Sequence, residues 1–263
     1  MIHFMIPGGI KDTPHFWNEL SKGVELFCKL KKKCDDLKYL NIGGGLPYPD
    51  SLSFSFNYQK IISEIVETIK SLCSYHEVPE PDIITEFGSY TVATSAVSLL
   101  KVLGEKKQNE RENWYIVDSS FITLIPDNWA LKKRFICLPV NNWDKPIKKV
   151  ILGGLSCDNM DFYSESLDYH QIVMPSLSKR NKLYIALFFT GAYQDNIAGF
   201  GGLKHCLLPS PAILIASKTK NKIKIKKVIE KQSALQMIKL LGYRPVKKSE
   251  KICLSNNTNG MEG

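Results

Sequence analysis

Three glycines in a row, Gly43, Gly44 and Gly45, follow the apolar run Tyr39-Leu40-Asn41-Ile42. With no Cβ atoms in the way, backbone N–H groups there can close on an anion. A phosphate is the usual guest where a strand end meets a following helix. A tight turn without a ligand uses the same residues, so the triplet alone is a weak signal. Glu86 closes a second strand-like run, Asp82-Ile83-Ile84-Thr85, where a carboxylate can serve catalysis or simply form a salt bridge or a helix cap. Cys157-Asp158 follows a third such run. A thiol with a pKa near neutrality can act as an acid, although a lone cysteine is more often inert core.

The elements that must position these groups fall into two patterns. Ile2 to Ile6 reads as a strand. Thr13-Pro14 then caps a helix carrying Phe16, Leu20, Val24, Phe27 and Leu30 at helical spacing. Tyr39 to Ile42 is the next strand. It is followed by a helix with Ile61, Ile62, Ile65, Val66, Ile69 and Leu72 on one face. Asp82 to Thr85 gives a third strand, and Tyr90 to Leu103 reads as a third helix. Three βα units in succession imply parallel strands with crossover helices. Beyond Asn113 the runs Trp114–Val117, Arg134–Val140, Lys149–Leu155 and Leu183–Phe189 are short, strand-like and separated by Pro, Gly and Asn, which predicts an all-β region. Ala212–Ala216 and Lys222–Ile229 form a hairpin, and Ser233–Leu241 a closing helix. The expected organisation is an α/β segment over 1–104, a β domain over 105–244 and a disordered basic tail over 245–263.

The 263 residues suffice for a full core, and 44% hydrophobic with 23% charged is ordinary for a soluble protein. The first residues lack a basic leader, and no stretch is long enough to span a membrane. Seven cysteines without CxxC spacing point to reduced thiols in the cytoplasm, and five scattered histidines give no metal pattern. The net charge of +9 is concentrated in residues 217–263, which hold 12 Lys/Arg against 3 Asp/Glu. Its lysines alternate with Ile223 and Ile225 as one solvated strand face. No aromatic platform interleaves with them, which argues against a nucleic-acid partner.

Several spaced motifs then fall in order: Leu40-Asn41-Ile42-Gly43-Gly44-Gly45-Leu46-Pro47, Thr85-Glu86-Phe87-Gly88-Ser89, Gly154-Leu155-Ser156-Cys157-Asp158 and Thr190-Gly191-Ala192-Tyr193-Gln194. Together they resemble the pyridoxal-phosphate decarboxylases built from an alanine-racemase-like barrel and a β domain. The stretch from Ser119 to Ala130, with Pro126-Asp127-Asn128-Trp129, is similar to the biosynthetic arginine decarboxylases, as is Gly199-Phe200-Gly201-Gly202-Leu203. The resemblance implies a remnant of a (β/α)8 barrel, about three βα units, followed by a β domain. It also implies pyridoxal 5'-phosphate as cofactor and arginine as the small-molecule substrate, decarboxylated to agmatine for polyamine synthesis. It places Gly43, Gly44, Gly45 and the Tyr193 hydroxyl around the cofactor phosphate, where Ser89 can also donate without adding charge, and Glu86 against the pyridine nitrogen. Cys157 would return a proton to the substrate carbon across a dimer interface. Asp158 would face the cationic end of the substrate, and Asp127 is a second acidic candidate for the guanidinium.

Departures accompany the resemblance. Met5 stands where the family has a histidine stacked on the cofactor ring, with His3 on the same strand face. Ser89 replaces an arginine, and the family's second aspartate after the cysteine is either lost or shifted to Asp161. No lysine matches the one that carries the cofactor. The expectation is a truncated or split decarboxylase working with a complementing N-terminal fragment or as a homodimer. The alternative is a non-catalytic homologue that binds an intact decarboxylase.

Overall fold

The computed structural model describes residues 1–163, 172–178, 180–220 and 222–244; the expected tail over 245–263 lies outside them. Two compact units divide at Ala198 and Gly199.

The first unit opens with β1 (Ile2–His3), α1 (Pro14–Lys31), β2 (Tyr39–Asn41), α2 (Tyr58–Tyr75), β3 (Asp82–Ile84) and the short α3 (Gly88–Val92). The strands pair in parallel in the order β1-β2-β3, with His3 opposite Asn41 and Asn41 opposite Ile84. Helix α1 starts where the Thr13 hydroxyl accepts the Phe16 N–H, with Pro14 in the first turn, and α2 where the Asn57 side chain accepts the Lys60 N–H. Their inward faces, Phe16, Leu20, Val24 and Phe27 against Ile61, Ile65 and Ile69, form one core with Leu40 and Ile42. This agrees with the strand–helix alternation read from the sequence.

The predicted third helix does not form. After α3 and a 3-10 turn at Ala93–Ser95, the chain enters β4 (Val97–Lys107), an eleven-residue strand. Val97, Leu99 and Leu103 are exposed while Leu100 and Val102 are buried, and the β-branched residues favour extended backbone. The expected boundary near residue 104 therefore falls inside a strand. Helix α3 and the turn stand in place of a full crossover.

The rest of this unit comprises β5 (Asn113–Val117), α4 (Phe121–Leu124), α5 (Pro126–Leu131), β6 (Cys137–Pro139), β7 (Ile147–Gly153), β8 (Phe162–Tyr163), β9 (Ile172–Pro175), β10 (Tyr184–Phe188) and α6 (Gln194–Ile197). Its sheet runs β6-β10-β4-β5-β7-β8, with β9 on β7. The pairing is antiparallel except β5 with β7. Tyr115, Val117, Phe121, Ile125, Val150, Leu152, Ile185 and Leu187 lie in its core. The described part of the second unit pairs β11 (Ile213–Thr219) with β12 (Lys222–Ile229), followed by α7 (Ala234–Leu240), capped by Ser233 and Gln236. Lys222, Lys224 and Lys226 share one face of the hairpin, as the alternation predicts.

Two buried acids give the first unit an alkaline limit. Burial pushes the Cys73 thiol from 9.0 up to about 12, with the Cys28 thiol 4.0 Å away adding to the effect. Burial also pushes Tyr115 from 10.0 up to about 12, with the Glu105 charge contributing. The unfolded chain releases both protons near their ordinary values, whereas the folded chain keeps them, so the folded state binds more protons above about pH 9. Stability is expected to be intact at pH 8 and to decline as pH rises from about 9 towards 12. Urea midpoints at pH 8 and pH 10.5 check this, and equal values would refute it.

Candidate cofactor site

Parallel pairing brings the C-terminal ends of β1, β2 and β3 into one row, and the polar groups collect there. Asn41, buried at the end of β2, uses both ends of its amide. Its Nδ2 donates to Glu86 Oε1 at 2.8 Å, and its Oδ1 accepts the Gly43 N–H at 2.9 Å. His3 Nδ1 lies 3.6 Å from the same Glu86 oxygen, with both side chains about half exposed. The Glu86 N–H donates to the Gly43 carbonyl at 2.9 Å. Glu86 and the triplet thus form one knot, with Asn41 at its centre. Nothing in the spacing of the sequence singled out Asn41.

The triplet is where the main chain comes closest to itself. A Cβ at Gly44 would sit 2.6 Å from the Glu86 carbonyl oxygen, and one at Gly45 would sit 2.6 Å from Gly9 Cα. Gly43 adopts φ +72° and would meet the Phe4 carbonyl oxygen at 2.7 Å. The Gly43 N–H is committed to Asn41, which corrects the expectation that all three amides face a phosphate. The Gly44 N–H meets only the Met5 thioether, at 3.2 Å, and that sulfur is a weak acceptor on an exposed side chain. The Gly45 N–H has no acceptor among the described residues. Beyond the triplet, the Tyr58 hydroxyl donates to the Pro47 carbonyl at 3.0 Å and fixes the loop to α2. Burial raises the pKa of Tyr58, with Tyr90 adding to it, so this donor stays protonated. Ser89 lies in the first turn of α3, immediately after the Glu86 segment.

Tyr193 is exposed and sits at φ +64°, ψ −85°, a strained conformation for a residue with a Cβ. The next residue, Gln194, is 1% exposed. Asp127 was expected to face a guanidinium. Its carboxylate is instead 6% exposed as a residue, 2.7 Å from Gln194 Nε2 and 3.4 Å from Lys133 Nζ. That commitment corrects the substrate role expected of Asp127: a buried, paired carboxylate is not presented to a ligand.

Cys157 is exposed and Asp158 half-buried, both on the loop after β7. Asp158 Oδ1 accepts the Met160 N–H at 2.7 Å. The loop is anchored by Asp161, whose carboxylate accepts from Phe121 N at 2.7 Å, Ile122 N at 3.4 Å and Ser156 N at 2.8 Å. Asp161 is therefore a backbone clamp, a role that its spacing from Cys157 did not disclose.

Residues 2–93 match the family described as the pyridoxal-dependent decarboxylase pyridoxal-binding domain. The chain is 22% identical to the arginine decarboxylase of Avena sativa, over 84% of this chain and 48% of that protein. It is 20% identical to the biosynthetic arginine decarboxylase of Prochlorococcus marinus subsp. pastoris, over 92% of this chain and 54% of that one. It spans about half the length of the curated relatives it matches. Among solved structures, the biosynthetic arginine decarboxylase of Campylobacter jejuni superposes with a TM-score of 0.78 at 20% identity, over 92% of this chain and 55% of that chain. A diaminopimelate decarboxylase from M. jannaschi gives 0.73 at 19% identity, over 90% and 50%. The fold is thus that of a partial decarboxylase barrel with an added β region.

The cofactor of this family is pyridoxal phosphate, and the residues at the strand ends fit it. Two of the three glycine amides are open or only weakly engaged, and a half-exposed carboxylate stands beside them. Met5 Sδ lies against the triplet, 2.8 Å from where a Cβ at Gly43 would sit. Residues 2–93 match the pyridoxal-binding domain of the pyridoxal-dependent decarboxylases, and similarity to the biosynthetic arginine decarboxylases continues through most of the chain.

Proposed function

We propose that this chain takes part in the pyridoxal-phosphate-dependent decarboxylation of L-arginine to agmatine and CO2, completed by a further barrel segment or by a second copy. The observation that carries the proposal is the knot of Glu86, Asn41 and the glycine triplet at adjoining strand ends. When bound, the cofactor supplies an electron sink for the pair left by the breaking Cα–carboxylate bond. Glu86 would hold the pyridine nitrogen protonated, since a carboxylate beside it favours the cationic form. The amides of Gly44 and Gly45, with the hydroxyls of Ser89 and Tyr193, would bind the phosphate. The Cys157 thiol would deliver a proton to Cα once CO2 has left, and Asp158 would pair with the guanidinium. In this reading the protein works in the cytoplasm on a small-molecule substrate.

The test is coexpression with an upstream barrel fragment that carries a strand-borne lysine. The expected result is visible absorbance from bound cofactor and release of agmatine from arginine, both abolished by Cys157→Ala together with Glu86→Ala. Reconstituted complexes that bind the cofactor yet release no agmatine would reject the proposal. A second reading, a non-catalytic partner of an intact decarboxylase, is favoured by one observation. Met5 lies where a ring-stacking residue is expected and already holds the Gly44 amide. Affinity capture with an intact decarboxylase separates the two.

A further inference from the structure

The turn at Tyr193 pays a conformational penalty that something must offset. Its φ of +64° with ψ −85° is disfavoured for any residue bearing a Cβ. The neighbouring residues show what holds it. Gln194 is essentially inaccessible, and its Nε2 donates both to the Ala192 carbonyl at 3.0 Å and to Asp127 Oδ2 at 2.7 Å. The side chain thus bridges the residue before Tyr193 to α5. On the same Asp127 oxygen lies Lys133 Nζ, at 3.4 Å, and that ammonium stands 4.9 Å from the centroid of the Tyr48 ring. Tyr48 belongs to the loop that leaves the glycine triplet. Lys133 is itself fixed by the backbone: its N–H donates to the Asp127 carbonyl at 3.1 Å, and Asn128 Nδ2 donates to the Lys133 carbonyl at 3.0 Å. A continuous line of contacts therefore runs from the glycine loop, through Tyr48, Lys133, Asp127 and Gln194, to the strained residue.

We propose that Asp127 and Gln194 are positioning residues, which together with Lys133 and Tyr48 clamp the Tyr193 turn and hold its phenol in register with the glycine loop. The reading of Tyr193 as a phosphate contact rests on the function proposed above; the clamp itself does not. A hydrogen bond from a fully buried amide to a buried carboxylate is costly to break, because either partner left alone keeps its desolvation penalty. The line therefore suits holding geometry better than contacting a ligand that comes and goes. Three alternatives carry less. The Cys28–Cys73 pair is wholly inaccessible, the Asp161 clamp is already accounted for by its loop, and nothing indicates what covers the apolar face of the β11–β12 hairpin.

The clamp is tested in the full chain without cofactor by a double-mutant cycle read as the thermal midpoint. Tyr193→Gly removes the strain and is expected to raise the midpoint by about 3 °C while the clamp is intact. In the Gln194→Leu background the turn is free to relax, so the same substitution should give no rise. An equal rise in both backgrounds overturns the proposal. Asp127→Ala, which removes the acceptor of the Gln194 Nε2 bond, reads the same cycle should Gln194→Leu not fold. The second readout is the dissociation constant for pyridoxine 5'-phosphate, which has the ring and phosphate but no aldehyde. Tyr193→Phe and Gln194→Leu should each weaken it about tenfold, and the double variant should be no weaker than Tyr193→Phe. Additive losses overturn the proposal. If the thermal cycle holds while Tyr193→Phe leaves the affinity unchanged, the clamp is supported and the phosphate role of Tyr193 is rejected.

Discussion

Asp161→Ala is expected to lower the free energy of unfolding by about 4 kcal/mol. The carboxylate is 6% exposed and accepts backbone N–H groups from Phe121, Ile122 and Ser156, so it joins the start of α4 to the loop bearing Cys157 and Asp158. Gly154 leaves room for it, since a Cβ there would overlap the carboxylate. Alanine leaves the two short donors, at 2.7 and 2.8 Å, without an acceptor where water has poor access. Bonds to a charged acceptor contribute about 1.5–3 kcal/mol each, which sets the estimate. Asp161→Asn retains one acceptor oxygen and should lose about half as much. Urea denaturation with linear extrapolation gives both values. A loss below about 1 kcal/mol for the alanine variant would mean that the clamp is not holding the loop.

Gly44→Ala should cost about 3 kcal/mol and at least tenfold in affinity for pyridoxine 5'-phosphate. The added Cβ would lie 2.6 Å from the Glu86 carbonyl oxygen, a main-chain atom that cannot swing aside. Either β2 and β3 separate at their ends or the triplet turns away, and both displace Glu86 from the amides beside it. Gly88→Ala is the internal control. It lies two residues beyond Glu86, has open space around the position, and should change stability by less than about 0.5 kcal/mol. Equal effects at the two glycines would show that close main-chain approach is not what the triplet provides.

The two long helices and three short parallel strands were legible because each signal is local. A Thr13 or Asn57 cap, a helical apolar stripe and an intervening strand need no knowledge of distant residues. Residues 90–103 misled for the opposite reason. Ala93, Ala96, Val97, Leu100 and Leu103 recur at helical spacing, while Leu100 and Val102 equally fit one face of a strand. What selects the strand is pairing with β10, more than eighty residues on, and with β5. The same holds for the site. The glycine triplet and Glu86 could be named from residue type at a strand end, but Asn41 between them is an ordinary polar residue until parallel register sets it opposite His3 and Ile84. Asp127 had the right chemistry for a guanidinium, and only burial against Gln194 and Lys133 showed that its charge is already committed.

By itself, then, the chain determined which groups can do chemistry: backbone amides freed by glycine, carboxylates, a thiol and a phenol, in an order shared with one enzyme family. Tertiary structure decided which of them remain available. Availability depends on burial and on partners drawn from residues far along the chain. It left Glu86 half exposed and the Gly44 and Gly45 amides weakly engaged or open at the strand ends, took Gly43, Asp127 and Asp161 into the scaffold, and set Tyr193 on a strained turn held from behind.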